Sequence, residues 1–195
     1  LPMYRELLPG GAAGIGYAIV AAGDNSAAAE WVSGWIRRHW HADATVHAAT
    51  AGALAELFEP LGVRCIDPTT ETFKQSQVPL LREALERAGE IDHALAQLPH
   101  SGTGIEAGNG ATLVFIETAA GRERLLVDGN GFRARRSGKS WQRAELLNLL
   151  DCEPVRFSAN VLLRPVVEAA LIPTVAYVAG PGEYRYLTRQ AATVY

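Results

Sequence analysis

Between residues 27 and 40 the large apolar side chains fall at Trp31, Val32, Trp35 and Ile36, a spacing of three and four that makes one helical stripe. Asp24, Asn25 and Ser26 precede it. Their short polar side chains suit the free N–H groups of a helix's first turn. A second stripe, with Leu54, Leu57 and Phe58, predicts a helix over residues 46–58 that Pro60 and Gly62 end. Helix signals resume at Thr70 and run to residue 98, with Pro79 as a boundary or kink, because proline disturbs the turn before it.

Uninterrupted apolar runs read instead as short buried strands. They cover residues 17–22, behind Gly10, Gly11, Gly14 and Gly16; residues 63–66, closed by Asp67-Pro68; and residues 174–179. The last of these turns through Gly180-Pro181-Gly182 into a final helix. Between residues 101 and 140 the texture differs. A glycine-rich stretch, 101–110, leads into three short apolar runs at 112–117, 124–128 and 132–135. Residues 119–121 and Asp128-Gly129-Asn130-Gly131 separate them, and glycine-bearing tight turns of this kind predict an antiparallel hairpin or small meander. A helix over 141–150 with Ser140 as its cap comes next, then one over 159–171 opened by Pro154 and Ser158 and stopped by Pro173. Alternating strands and helices give an α/β class. The expected parts are a mostly helical α/β portion over 1–100, a β-hairpin insertion over 101–140 and a helix–strand–helix portion over 141–195.

Composition narrows the possible functions. Hydrophobic residues at 48% and charged residues at 20% are the balance of an ordinary folded domain. A net charge of -3 argues against a nucleic-acid partner, which needs a concentrated positive field. The run Arg133, Arg135, Arg136 and Lys139 is too short to change that. No apolar stretch approaches the roughly 18 residues of a membrane span. Two cysteines, Cys65 and Cys152, make no disulfide framework and fit a reducing cytoplasm. The opening Leu1-Pro2 carries no targeting pattern, and the last helix reaches Tyr195 without a stop signal. The expectation is a piece of a longer cytoplasmic protein.

Two places carry candidate chemistry. The turn Gly180-Pro181-Gly182, at the carboxyl end of an expected strand, is where open α/β sheets bind ligands, and the helix starting near Glu183 would point its N–H groups at an anion. A tight turn with an acidic first-turn residue is the alternative. Upstream, Asn160 and Arg164 stand four apart on an expected helix, an amide and a guanidinium on one face, suited to a carboxylate or phosphate. Arg164 could equally pair with Glu168. Other patterns carry less. Ser137-Gly138-Lys139-Ser140 resembles a phosphate-loop tail, but Arg133 stands where that pattern needs glycine. The stretch over 10–16 lacks the G-x-G-x-x-G spacing. His39, His41 and His47, with Asp43 nearby, read as a solvated helix end and not as metal ligands. Cys65 reads as buried and inert, and Cys152 has no histidine partner to make it a nucleophile.

The stretch from Arg156 to Gln190, RFSANVLLRPVVEAALIPTVAYVAGPGEYRYLTRQ, resembles the signature segment of the bacillithiol biosynthesis cysteine-adding enzymes, the BshC family. The likeness lies in Phe-Ser-x-Asn, the helix Arg-Pro, the Pro-Thr before the strand, and Gly-Pro-Gly-Glu before an aromatic-bearing helix. It is weaker at residues 63–68 and 109–136. The resemblance implies a partial Rossmann-like core, and a ligase joining cysteine to the amino group of glucosaminyl-malate, with ATP or ADP involved and no metal assigned. It implies a homodimer through a coiled coil elsewhere in the whole protein. Carried over residue by residue, Asn160, Arg164, Gly180, Pro181, Gly182, Glu183 and Tyr186 would line the substrate pocket, with no catalytic residue assigned. The family's glycine-glycine-glutamine-glutamine turn and His-Asp strand end are not in this sequence. A piece lacking them is expected to be inactive alone, and a non-catalytic binding or assembly domain is the alternative.

Overall fold

The structure, a computed structural model, describes residues 27–98 and 109–195. The expected strand at 17–22, the glycines before it and the glycine-rich stretch up to residue 108 lie outside the described residues. The chain divides into two compact units, residues 1–67 and 68–195.

In the first unit two helices pack, α1 (Ala27–His39) and α2 (Val46–Phe58). Thr45 caps α2, its hydroxyl accepting from the Ala48 N–H at 3.1 Å. Trp35 Nε1 donates to the Ala53 carbonyl, and Arg38 and His39 both reach Glu56. His39 Nε2 lies 2.6 Å from Glu56 Oε2. The ring fits there because position 52 is glycine, where a Cβ would stand 2.9 Å from His39 Nδ1. His47 meets a different carboxylate, Asp67, at 2.8 Å. His39 and His47 are therefore separately paired, and among the described residues no three potential ligands cluster.

The strand expected at 63–66 does not form. Val63 and Ile66 are exposed, and so is Cys65, which was expected to be buried. Apolar β-branched residues make a strand only when another strand completes the ladder, and among the described residues none pairs here.

The second unit is a mixed α/β body. The helix expected over 70–98 is three short ones: α3 (Glu71–Ser76), α4 (Val78–Glu86) and α5 (Ala88–Ala96). Pro79 sits in the first turn of α4, where its missing N–H has no role, and not at a kink. The expected three-run meander is present as β1 (Ala111–Thr118), β2 (Gly121–Asp128) and β3 (Gly131–Ala134), and β4 (Ser140–Gln142), which was not expected, extends it. A fifth strand, β5 (Phe157–Ala159), completes a sheet ordered β4-β3-β2-β1-β5, antiparallel throughout. Helices cover one face, and Leu81, Leu85, Val114, Ile116, Leu125, Phe132, Leu146, Leu150 and Phe157 fill the space between. At Gly131 the backbones nearly touch. A Cβ there would lie 2.3 Å from the Trp141 carbonyl oxygen, so any side chain would push β3 and β4 apart.

Ser140 lies in β4 and does not cap the next helix. Helix α6 (Arg143–Cys152) is capped by Gln142, whose N–H is met in return by Glu145. The helix expected from residue 159 also starts late, as α7 (Arg164–Leu171), because Phe157 and Ala159 are taken by pairing with β1. Asn160 makes the turn between β5 and α7. Its N–H donates to the Leu113 carbonyl, its Oδ1 accepts from the N–H groups of Leu162 and Leu163 at 2.9 and 3.0 Å, and its carbonyl accepts from Arg164. Residues 172–180 form no strand. Val175 and Val178 are fully exposed, for the same want of a neighbour as at 63–66. The chain ends in a helical run from α8 (Pro181–Tyr186) through a π turn (Leu187–Ala191) to Ala192–Val194.

Glu123 is the most buried charge in the sheet, 1% exposed. Burial opposes its ionisation, but Thr118, Ser137 and Arg136 donate hydrogen bonds to it, and the balance holds its carboxyl at about 2. A folded value below the unfolded one, about 4.3, means that the carboxylate stabilises the fold above that pH and loses this effect as pH falls toward 2. Glu123→Ala should lower stability by at least about 1–3 kcal/mol, the scale for stranding a buried donor. Between pH 4 and 2 its denaturation midpoint should converge on that of the wild type. At the Asn160 turn, Asn160→Ala should cost about 1–2 kcal/mol whereas Asn160→Asp, which keeps the acceptor, should stay close to wild type in thermal melting.

Candidate functional site

The Asn160 turn fixes where α7 begins, and therefore where Arg164, its first residue, projects. Three carboxylate and hydroxyl groups converge on that guanidinium. Glu168, one turn along α7, faces Nε with Oε1 at 3.4 Å. Glu183, from the first turn of α8, faces Nη2 with Oε1 at 3.7 Å. Tyr177, from the connection between the helices, is near enough to favour the charged form of Arg164.

Glu183 is the hub. Its Oε2 accepts the Gly180 N–H at 3.1 Å and so caps α8 from within, while the Tyr186 hydroxyl donates to Oε1 at 3.5 Å. Burial raises the Tyr186 phenol above its ordinary value, Glu183 adds to this and Arg164 opposes it, so the hydroxyl keeps its proton and remains a donor. Partial burial works against the Arg164 charge. Glu168 and Tyr177 outweigh that effect and hold it higher still.

Of the seven residues singled out in the sequence, the fold brings together Arg164, Gly180, Glu183 and Tyr186. Pro181 and Gly182 are exposed beside them, and among the described residues no atom lies within 4 Å of where a Cβ on Gly182 would stand, which leaves room for a ligand to approach the backbone. Asn160 is a correction. It does not share a helix face with Arg164; it is buried, and its side-chain oxygen is used inside its own turn. Tyr177 was missed because its segment reads as a buried strand, although in the fold Tyr177 is exposed. Glu168 was visible as a partner four residues from Arg164, and it takes that role together with Glu183.

A polyphosphate needs a surplus of donors. Here one guanidinium faces two carboxylates, and the Gly180 N–H is already taken, so these residues alone do not fit nucleotide phosphates. Nor does the loop at 137–140 supply them. It joins β3 to β4, and Lys139 lies 5.2 Å from the centre of the Trp141 ring. Cys152 is exposed. Among the described residues no helix is long and apolar enough to cross a membrane.

Comparison with known proteins converges on one family. The model for the bacillithiol biosynthesis BshC N-terminal Rossmann-like domain matches residues 17–193. A protein of Koribacter versatilis is 32% identical over 164 residues, covering 82% of this chain and 31% of its own length. One of Heliobacterium modesticaldum is 35% identical over 152 residues, 72% of this chain and 27% of its own length. One of Staphylococcus epidermidis is 33% identical over 144 residues, 69% of this chain and 26% of its own length. Each is provisionally named cysteine ligase BshC. This chain thus spans about a third or less of the length of these curated relatives. With a match over residues 17–193, the chain belongs to the bacillithiol biosynthesis BshC family, within its Rossmann-like domain.

Proposed function

We propose that the protein containing this chain is a cytoplasmic ligase that joins the carboxyl group of cysteine to the amino group of glucosaminyl-malate, and that this domain supplies one of its substrate sites. The observation that supports it is the segment 156–190, in which the family-like residues Arg164, Gly180, Glu183 and Tyr186 meet in space although up to 22 positions separate them. A guanidinium offers a planar fork of donors to a carboxylate, and the open backbone at Gly182 lets a small ligand come close.

Amide formation needs an activated carboxyl group. The resemblance implies that ATP or ADP takes part in this, and the residues around Arg164 would bind and orient a substrate without supplying activation. Because the chain covers only 31% or less of those three relatives, the activity is assigned to the whole protein, as a homodimer, and the isolated chain is expected to be inactive. A second reading, a binding or assembly domain without catalysis, draws on the fact that Glu168 and Glu183 both face Arg164, an arrangement that can also serve as a structural brace.

The two readings separate in cells that make bacillithiol. Deleting the full gene should abolish bacillithiol and accumulate glucosaminyl-malate in a small-thiol profile, and an unchanged profile overturns the ligase reading. Complementation with Arg164→Ala should restore about a tenth or less of the wild-type rate, the scale of losing one charged hydrogen bond to a substrate. Full complementation would assign Arg164 to bracing alone.

A further inference from the structure

We infer that the cluster around Arg164 is a receptor for a free α-amino acid, Arg164 taking its carboxylate and Glu183 its ammonium group, so that cysteine occupies this site and the dicarboxylate half of glucosaminyl-malate binds elsewhere. This assignment rests on the ligase reading and goes beyond it by matching one substrate to one set of charges.

Charge balance selects the ligand. Arg164 carries one positive charge, and Glu168 and Glu183 carry two negative ones within 3.7 Å of it. A dianion such as malate, or a polyphosphate, would add negative charge to a site that already has an excess. A zwitterion matches it. Its carboxylate joins the arginine, its ammonium meets the surplus carboxylate, and every charge is left with a partner of opposite sign.

Geometry supports the same ligand. The Arg164–Glu168 and Arg164–Glu183 separations, 3.4 and 3.7 Å, exceed the roughly 2.7–2.9 Å of a close charged hydrogen bond. These pairs are loose, and a ligand inserted between them has little to displace. The Arg164 side chain is 48% exposed and that of Glu183 is 41% exposed, so both are within reach from solvent. The Tyr186 hydroxyl, donating to Glu183 Oε1, helps to hold the carboxylate in position. Arginine and glutamate at this distance can meet the carboxylate and the ammonium of a single amino acid, whose charged groups are separated by one carbon atom.

The test uses thiols that carry half of the cysteine recognition set. The intact protein is titrated calorimetrically with cysteine, with cysteamine, which lacks the carboxylate, with 3-mercaptopropionate, which lacks the ammonium, and with malate. Cysteine should bind about tenfold or more tightly than either half-ligand, the scale of one charged hydrogen bond. Glu183→Gln keeps an oxygen for the Gly180 N–H but loses the charge; it should weaken cysteine and cysteamine by about tenfold and leave 3-mercaptopropionate unchanged or tighter. Arg164→Gln should weaken cysteine and 3-mercaptopropionate and spare cysteamine. Glu168→Gln, away from the helix cap, should repeat the Glu183→Gln selectivity more weakly and serves where that variant fails to fold.

Three results overturn the inference: cysteine affinity unchanged in Glu183→Gln, equal weakening of cysteine and 3-mercaptopropionate in that variant, or wild-type preference for malate. If the intact protein still forms the amide product under any of these, the ligase reading stands and only the subsite falls. If it neither binds cysteine nor forms the amide, both fall together.

Discussion

The second unit depends on how four residues, Phe157 to Asn160, lie along β1. Val114, Phe115 and Ile116 pair with Ala159, Ser158 and Phe157, and the Asn160 N–H extends the contact to the Leu113 carbonyl. This short strand is a sheet edge, and an uncovered edge invites other strands. Here Lys74 and Gln77, from α3 and the residue after it, both donate to the Phe157 carbonyl and close it. The strand that ends the sheet thus also ties the N-terminal helices of the unit to its C-terminal ones. Without that pairing α7 has no fixed origin, and Arg164 no fixed direction.

That anchor has an electrostatic consequence. Arg164 leaves the sheet in the first turn of α7, Glu183 enters from the first turn of α8, and the connection between the helices contributes Tyr177. The carboxylate that caps α8 through Gly180 is also the one that faces the arginine. One side chain therefore serves the stability of a helix and the charge balance of a candidate site. A substitution at Glu183 perturbs both, and a change that keeps the oxygen but removes the charge separates them.

The amino-acid pattern revealed the meander and the helices of the first unit because their signals are local. Glycine turns at 119–121 and 128–131 and the 3.6-residue stripe around Trp31 and Trp35 need no distant partner. Residues 63–66 and 174–179 were misread for the opposite reason. Their composition suits a strand, but strand formation is settled by a neighbour, and propensity cannot report whether one is present. The Phe157–Asn160 stretch was misread as a helix start because asparagine and serine suit both a cap and an Asx turn, and the choice lay with β1, more than forty positions earlier. At the site, Arg164 and Glu183 were legible as chemistry-bearing residues. Their meeting was not, because it requires the late start of α7.

The exposed run at 174–179 has a practical side. Thr-Val-Ala-Tyr-Val-Ala holds no charge, no proline and no glycine, and it presents two valines entirely to water. Six-residue stretches of that composition are the ones that stack into intermolecular cross-β ribbons when nothing shields them. Any preparation that leaves this run bare will be governed by colloidal behaviour as much as by folding: solubility will fall with concentration and time, and a charged residue at position 175 or 178 will act as a gatekeeper without touching the packed interior.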